Sequence, residues 1–217
     1  MGKPMPPCLQ NGKFSAAMKA LWPHGDSKVP GLVEGIIASA PAVFAKWGIE
    51  TDAEIAICMA QFSEECGAGT EMQEDMNYSA ARLLQVFPTH FTYAEAIADQ
   101  HQPRLIADRA YGTRMGDRPG TDDGWNLRGQ GISQLTGEDN YDALSKLTGY
   151  DLVNHPEILL DPKTALDCGV ADLQQCGCMP FVHSGNFVMV TQRLNGGQNG
   201  ADIREHWWGL WKHALGI

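Results

Sequence analysis

The chain has 217 residues, 43% hydrophobic and 19% charged, and 16 Lys and Arg against 26 Asp and Glu leave a net charge of −10. This composition excludes collagen, coiled coil and wholesale disorder. It also argues against general nucleic-acid binding, which needs clustered Lys and Arg to neutralise phosphates.

In chain order, residues 1–14 carry Lys3 and Lys13 but no apolar stretch of signal-peptide length. Pro6 stands where a myristoylation motif needs Ser or Thr. Helices are predicted over 14–21 and 32–47. Thr51-Asp52-Ala53-Glu54 is a capping-box pattern that opens a helix reaching Glu65, and Thr92-Tyr93-Ala94-Glu95 repeats it. Ser79 is the expected N-cap of a helix over 80–87. Between 111 and 131 the periodicity fails: Gly112, Gly116, Pro119, Gly120, Gly124 and Gly129 describe a long irregular loop, a feature that is usually functional inside a compact domain. A short strand is predicted over 131–135. Further helices are expected over 139–147, over 163–175 with Pro162 in the first turn, and over 187–194 and 201–215.

The apolar runs at 31–44 and 55–62 are too short or too interrupted to cross a bilayer, so no stable membrane insertion is expected. The expectation is a monomer made in the cytoplasm. The six cysteines then read as reduced and mostly buried. Cys176-Gly177-Cys178 lacks the spacer of a zinc or redox pair and the seven histidines are scattered, so neither metal nor other cofactor is expected. The fold class is mainly α, with little β structure.

Ile55, Cys58, Met59 and Phe62 recur at helical spacing and define a buried stripe. At 100° per residue Glu65 falls at the edge of that stripe, where partial desolvation favours a retained proton, while Glu64 points nearly opposite, toward solvent. Glu74 follows nine residues after Glu65. On an unbroken helix the two carboxyls would stand about 13.5 Å apart. A reversal at Gly67 and Gly69 could instead bring them across a cleft, at the roughly 6.5–9.5 Å spacing of an inverting glycosidase. The alternative is a pair of ordinary surface glutamates at a helix end.

The stretch Ala60-Gln61-Phe62-Ser63-Glu64-Glu65-Cys66-Gly67, followed by Gln73-Glu74-Asp75-Met76-Asn77-Tyr78-Ser79, resembles the catalytic region of glycoside hydrolase family 19, which contains plant-type chitinases and phage or bacterial endolysins. Ala107-Asp108-Arg109-Ala110-Tyr111, then Trp125-Asn126-Leu127-Arg128-Gly129-Gln130-Gly131-Ile132-Ser133-Gln134-Leu135-Thr136-Gly137, and finally Asn195-Gly196-Gly197-Gln198-Asn199-Gly200 with Asp202 and Arg204, continue the likeness in order. It runs from about Pro30 to the C-terminus and fits the endolysin branch better than the plant enzymes. It implies a lysozyme-like bilobal helical domain over 30–217, with 1–29 as an extension packed on it.

The resemblance implies Glu65 as general acid, Glu74 as the base that activates water, and Thr136 as the hydroxyl that positions this water. It implies Gln134, Asn140, Tyr141 and Asn195 as sugar contacts. Arg204 matches an arginine tied electrostatically to the carboxylates, and is expected to hold Glu74 ionised. Tyr111 and Trp125 read equally as sugar-stacking faces or as core. Glu64 replaces the family's usual His, Cys66 a common serine and Leu127 a common aromatic. The implied activity is lysis of a bacterial host by cutting the β-1,4 bond of peptidoglycan, with a membrane lesion such as a holin giving access to the wall. The rivals are a chitinase and a non-catalytic sugar-binding protein on the same scaffold. The charge is uneven: residues 50–75 hold eight acids and no Lys or Arg, whereas 104–128 hold five arginines against four aspartates. The arginine-bearing stretch is the expected contact for anionic peptidoglycan.

Overall fold

The computed structural model describes residues 5–197 and 199–217, so residues 1–4 and Gln198 of the late motif lie outside the described residues. The chain divides into two compact units. The first begins with α1 (Pro7–Gln10), α2 (Lys13–Leu21), α3 (Leu32–Lys46) and α4 (Asp52–Glu65). The second, Gln73–Gln130 with Gln134–Pro156, holds α5 (Ala80–Val86), α6 (Tyr93–Asp99), α7 (Pro103–Tyr111), α8 (Asp123–Asn126) and α9 (Glu138–Thr148). The first then resumes with α10 (Ala165–Gln175), α11 (Met179–His183), α12 (Phe187–Asn195) and α13 (Ala201–Leu215), and also takes Gly131–Ser133. No described helix is long and apolar enough to cross a membrane.

Two expected elements differ. No strand forms over 131–135, and the described residues contain only isolated bridges, Gln73 with Gln130 and Gln130 with Leu135. Gly131 at φ 78° and Gln134 at φ 55° interrupt any extended run there. The helix expected from Lys163 starts instead at Ala165, because the amides of Lys163, Thr164 and Ala165 all bond back to Asp161 in a preceding turn. The loop over 111–131 is irregular apart from the short α8.

Helix α4 organises the first unit. Its start is a complete capping box: the Thr51 hydroxyl accepts from the Glu54 amide, and Glu54 Oε2 accepts from the Thr51 amide at 2.8 Å. Every residue from Glu54 to Ser63 is buried, so the helix is enclosed on all faces instead of presenting one stripe. The segment before Pro30 contributes Cys8, Phe14, Met18 and Trp22 to this core, and Phe14 packs between Phe44 and Trp211. All six cysteines are free thiols, five of them buried.

A helix with no wet face must satisfy its polar side chains internally. Ser63, fully buried, donates to the Met59 carbonyl at 2.7 Å and accepts from the indole N–H groups of Trp22 and Trp211, each at 2.9 Å. One hydroxyl therefore ties the end of α2, α4 and α13 together at full hydrogen-bonding capacity. After Glu65 the chain reverses through Gly67, Ala68 and Gly69, all at positive φ. Gly69 lies directly on Gly25, where a Cβ would come within 2.8 Å of the Gly25 backbone, so the turn needs glycine for space as well as conformation.

The second unit has its own core of Met76, Leu83, Phe87, Phe91 and Ile106, with Tyr78 and Tyr111 set edge-on against Phe87. Three of its arginines are paired with its own acids: Arg104 with Asp122, Arg109 with Glu95 and Asp99, Arg118 with Asp123. Arg128 is 8% exposed. Of the five arginines over 104–128, three are therefore neutralised by local ion pairs, while Arg114 reaches His90 and Arg128 reaches backbone carbonyls.

Replacing Ser63 by Ala strands two buried indole N–H groups. At about 1–3 kcal/mol for each unsatisfied donor, Ser63→Ala should cost about 2–6 kcal/mol. Thr51→Ala, which removes one cap, should cost only about 1 kcal/mol. Urea unfolding monitored by tryptophan fluorescence would rank the two, and equal costs would contradict the shared-hydroxyl account.

Candidate active site

In the first unit the site residues gather at the end of α4. Glu65 is the last residue of that helix and accepts from Arg204 Nη2 of α13 at 2.6 Å, with side-chain exposures of 17% and 5%. The second guanidinium nitrogen, Nη1, donates to Gln61 Oε1 at 2.8 Å, and Gln61 Nε2 donates to the Thr191 hydroxyl of α12 at 2.8 Å. Arg204 Nε is buried without a hydrogen-bond partner. The arginine expected to hold Glu74 is thus bound to Glu65, because the residue that positions α13 against α4 is the same one that satisfies the buried Gln61.

Glu64, expected toward solvent, is partly buried against the start of α13, where a Cβ on Gly200 would lie 3.1 Å from its Oε1. Burial raises its pKa, Arg204 opposes this, and Glu65, Glu71 and Asp202 add to the rise. Helical phase alone misjudged this carboxyl, since α4 is surrounded. Asn195, at the end of α12, donates from Nδ2 to the Asn199 carbonyl at 2.8 Å and shapes the loop before α13.

In the second unit Glu74 sits on an extended segment. Its amide donates to the Gly129 carbonyl at 2.8 Å, and Arg128 Nε donates to the Glu74 carbonyl at 3.2 Å. The Tyr111 hydroxyl lies 2.9 Å from each carboxylate oxygen. Burial pushes the Glu74 pKa up, while the Tyr111 hydroxyl and, more weakly, the contacts with Gly129 and Arg128 pull it down. Thr136 and Gln134 converge with Glu74 around Gly129: a Cβ there would stand 3.2 Å from Gln134 Oε1 and 3.4 Å from both Glu74 Cβ and Thr136 Oγ1. Asn140 is exposed and donates to the Thr136 carbonyl at 2.8 Å.

Three aromatic assignments change. Tyr111 is neither a stacking face nor plain core, since its hydroxyl is the hydrogen-bond donor to Glu74. Trp125 carries the Arg128 guanidinium 3.7 Å from its ring centroid, so that face is closed to a sugar. Tyr141, expected as a sugar contact, is 0% exposed and donates to the Arg128 carbonyl at 3.0 Å, bracing the segment from inside. Gln61, Thr191 and Arg128 were not singled out from the sequence. The available signal for Gln61 was a lone amide within an otherwise apolar helical run. Among the described residues no group of three or more His, Cys, Asp or Glu is placed to hold a metal ion.

Because the Tyr111 hydroxyl opposes the effect of burial on Glu74, Tyr111→Phe should raise the Glu74 pKa further. Carbon-detected NMR titration of labelled glutamate carboxyls would read the shift, and an unmoved Glu74 curve would show that the hydroxyl does not hold the carboxylate.

No protein-family profile matches the chain. A Haemophilus influenzae protein described as a glycosyl hydrolase family 19 domain-containing protein is 34% identical over 178 residues, covering 81% of this chain and 86% of the relative. Among solved structures, chitinase C from Streptomyces griseus superposes with a TM-score of 0.61 at 19% identity, covering 94% of this chain and 92% of its own. A mutant of chitinase C gives a TM-score of 0.61 at 17% identity, with the same coverage. At those identities the two structures speak for the mainly helical fold. The sequence relative speaks for the family: the chain belongs to glycosyl hydrolase family 19 and is a glycoside hydrolase.

Proposed function

We propose that the protein is a peptidoglycan-degrading endolysin that cuts the β-1,4 bond between N-acetylmuramic acid and N-acetylglucosamine with inversion, using Glu65 as general acid and Glu74 as general base. The observation that supports the pair of carboxyls is that neither is left as free surface, Glu65 being held by Arg204 and Glu74 by Tyr111; the choice of peptidoglycan rests on the resemblance of the motifs to the endolysin branch. A general base works best with a pKa raised toward the working pH, and desolvation acts on Glu74 in that direction. On the acid side, Glu64 adjoins Glu65, and burial together with the nearby Glu65, Glu71 and Asp202 carboxylates raises the Glu64 pKa against the opposing pull of Arg204.

In an inverting hydrolysis the acid protonates the glycosidic oxygen while the base removes a proton from water attacking the opposite face of the sugar. Thr136, whose hydroxyl converges with Glu74 on Gly129, is suited to orient that water. Gln134, Asn140 and Asn195 would offer uncharged hydrogen bonds to hydroxyl and N-acetyl groups. Tyr111 serves through Glu74. The biological role would be host-cell lysis, the enzyme reaching the wall through a membrane lesion such as a holin provides. A chitinase is the second reading, favoured by the fold neighbour named chitinase C.

Glu65→Gln and Glu74→Gln should each lower kcat by about 10²–10⁴-fold, the usual worth of a positioned acid or base, with melting temperatures little changed. Wild-type activity in either variant would remove that residue from its role. Because the base must be ionised, wild-type kcat/KM should fall as pH drops through the raised Glu74 pKa. Mass spectrometry of digests of purified peptidoglycan and of chitin oligomers identifies the bond cut, and turnover of chitin alone would overturn the endolysin reading in favour of the second.

A further inference from the structure

We propose that Gln61 is a positioning residue for the hydrolytic reaction, locking the Arg204 guanidinium onto Glu65. The inference rests on Glu65 being the general acid. Gln61 is 0% exposed and lies one helical turn before Glu65 on α4. An amide so buried is tolerated only when its hydrogen bonds are made. Its orientation is dictated by its neighbours: a guanidinium can only donate, so the carboxamide oxygen must face Arg204, and the NH2 group then faces Thr191. Three helices, α4, α12 and α13, each contribute one link to this chain of bonds.

The consequence lies in how few contacts hold the arginine head. Nη1 is fixed by Gln61 and Nη2 by Glu65, while Nε has no partner. Two anchored nitrogens define the plane of a rigid guanidinium, whereas one leaves it free to pivot about the Glu65 contact. Removing Gln61 also strands the Nη1 donor inside the protein. The choice of Gln over Glu matters as well. A neutral acceptor orients Arg204 without competing with Glu65 for its charge. Thr191, 3% exposed, keeps the amide from flipping and acts one step further back.

The test uses the full chain and the substrate it turns over. Gln61→Met should lower kcat about 10–100-fold, the scale of a misplaced reacting group, with KM within about twofold. Thr191→Val should show a smaller loss, and Thr191→Ser, which keeps the hydroxyl, should restore wild-type kcat. A double-mutant cycle separates positioning from mere support of the fold. If Gln61 acts through Arg204, then Gln61→Met should cost nothing further in a background of Arg204→Met, whereas an independent structural role gives multiplicative losses. Nitrogen NMR of the arginine side chains supplies a readout independent of turnover: hindered rotation should resolve the Arg204 Nη signals in the wild type and be lost in Gln61→Met. An inactive Glu65→Gln with a wild-type-like Gln61→Met, or multiplicative losses in the cycle, overturns the inference alone. An active Glu65→Gln overturns the acid assignment and the inference with it.

Discussion

The enclosure of α4 is the constraint from which the first unit follows. With no face toward water from Glu54 to Ser63, each polar side chain on the helix must be answered by another helix. Ser63 is answered by two tryptophan indoles and Gln61 by Thr191 and Arg204. These bonds are specific in direction as well as distance, so they set how α12 and α13 meet α4. The carboxyl at the end of α4 receives its arginine as a result. The arginine contact at Glu65 and the polar satisfaction of the core are thus one arrangement.

Glu74 is held by different physics. It lies outside any helix, its backbone tied to Gly129 and its carboxylate capped by a tyrosine hydroxyl over an aromatic core. The two carboxyls therefore differ in partner, an arginine for one and a neutral hydroxyl for the other. The net charge of −10 takes on a local meaning here. Acids without nearby Lys or Arg in sequence crowd the end of α4, while in the second unit Arg104, Arg109 and Arg118 are each paired with an acid.

Elements signalled within a few residues were legible from the sequence. Both capping boxes form as expected, Ser79 caps α5, and α13 runs over the expected residues, because N-cap side chains and amphipathic faces act within one or two turns. The motifs likewise point to family 19 by themselves. Less legible were one-turn helices such as α1, α8 and α11, too short to show a period. The strand expected over 131–135 failed because alternation of residue types carries no information about the positive φ of Gln134.

What local pattern could not assign was partnership. Gln61 meets Thr191 across 130 positions, Glu65 meets Arg204 across 139, and Glu74 meets Tyr111 across 37. Helical phase described α4 as a stripe with a wet back, on which Glu64 looked solvated, and the motif match left Arg204 assigned to Glu74. Packing removed the wet back. Once a helix is surrounded, the exposure of a residue depends on what the distant chain lays against it, and so does the identity of the ion that faces each carboxyl. Composition, caps and motifs were sufficient for the longer helices and the family; the pairing of charges required the fold, because desolvation and hydrogen-bond direction exist only where remote segments meet.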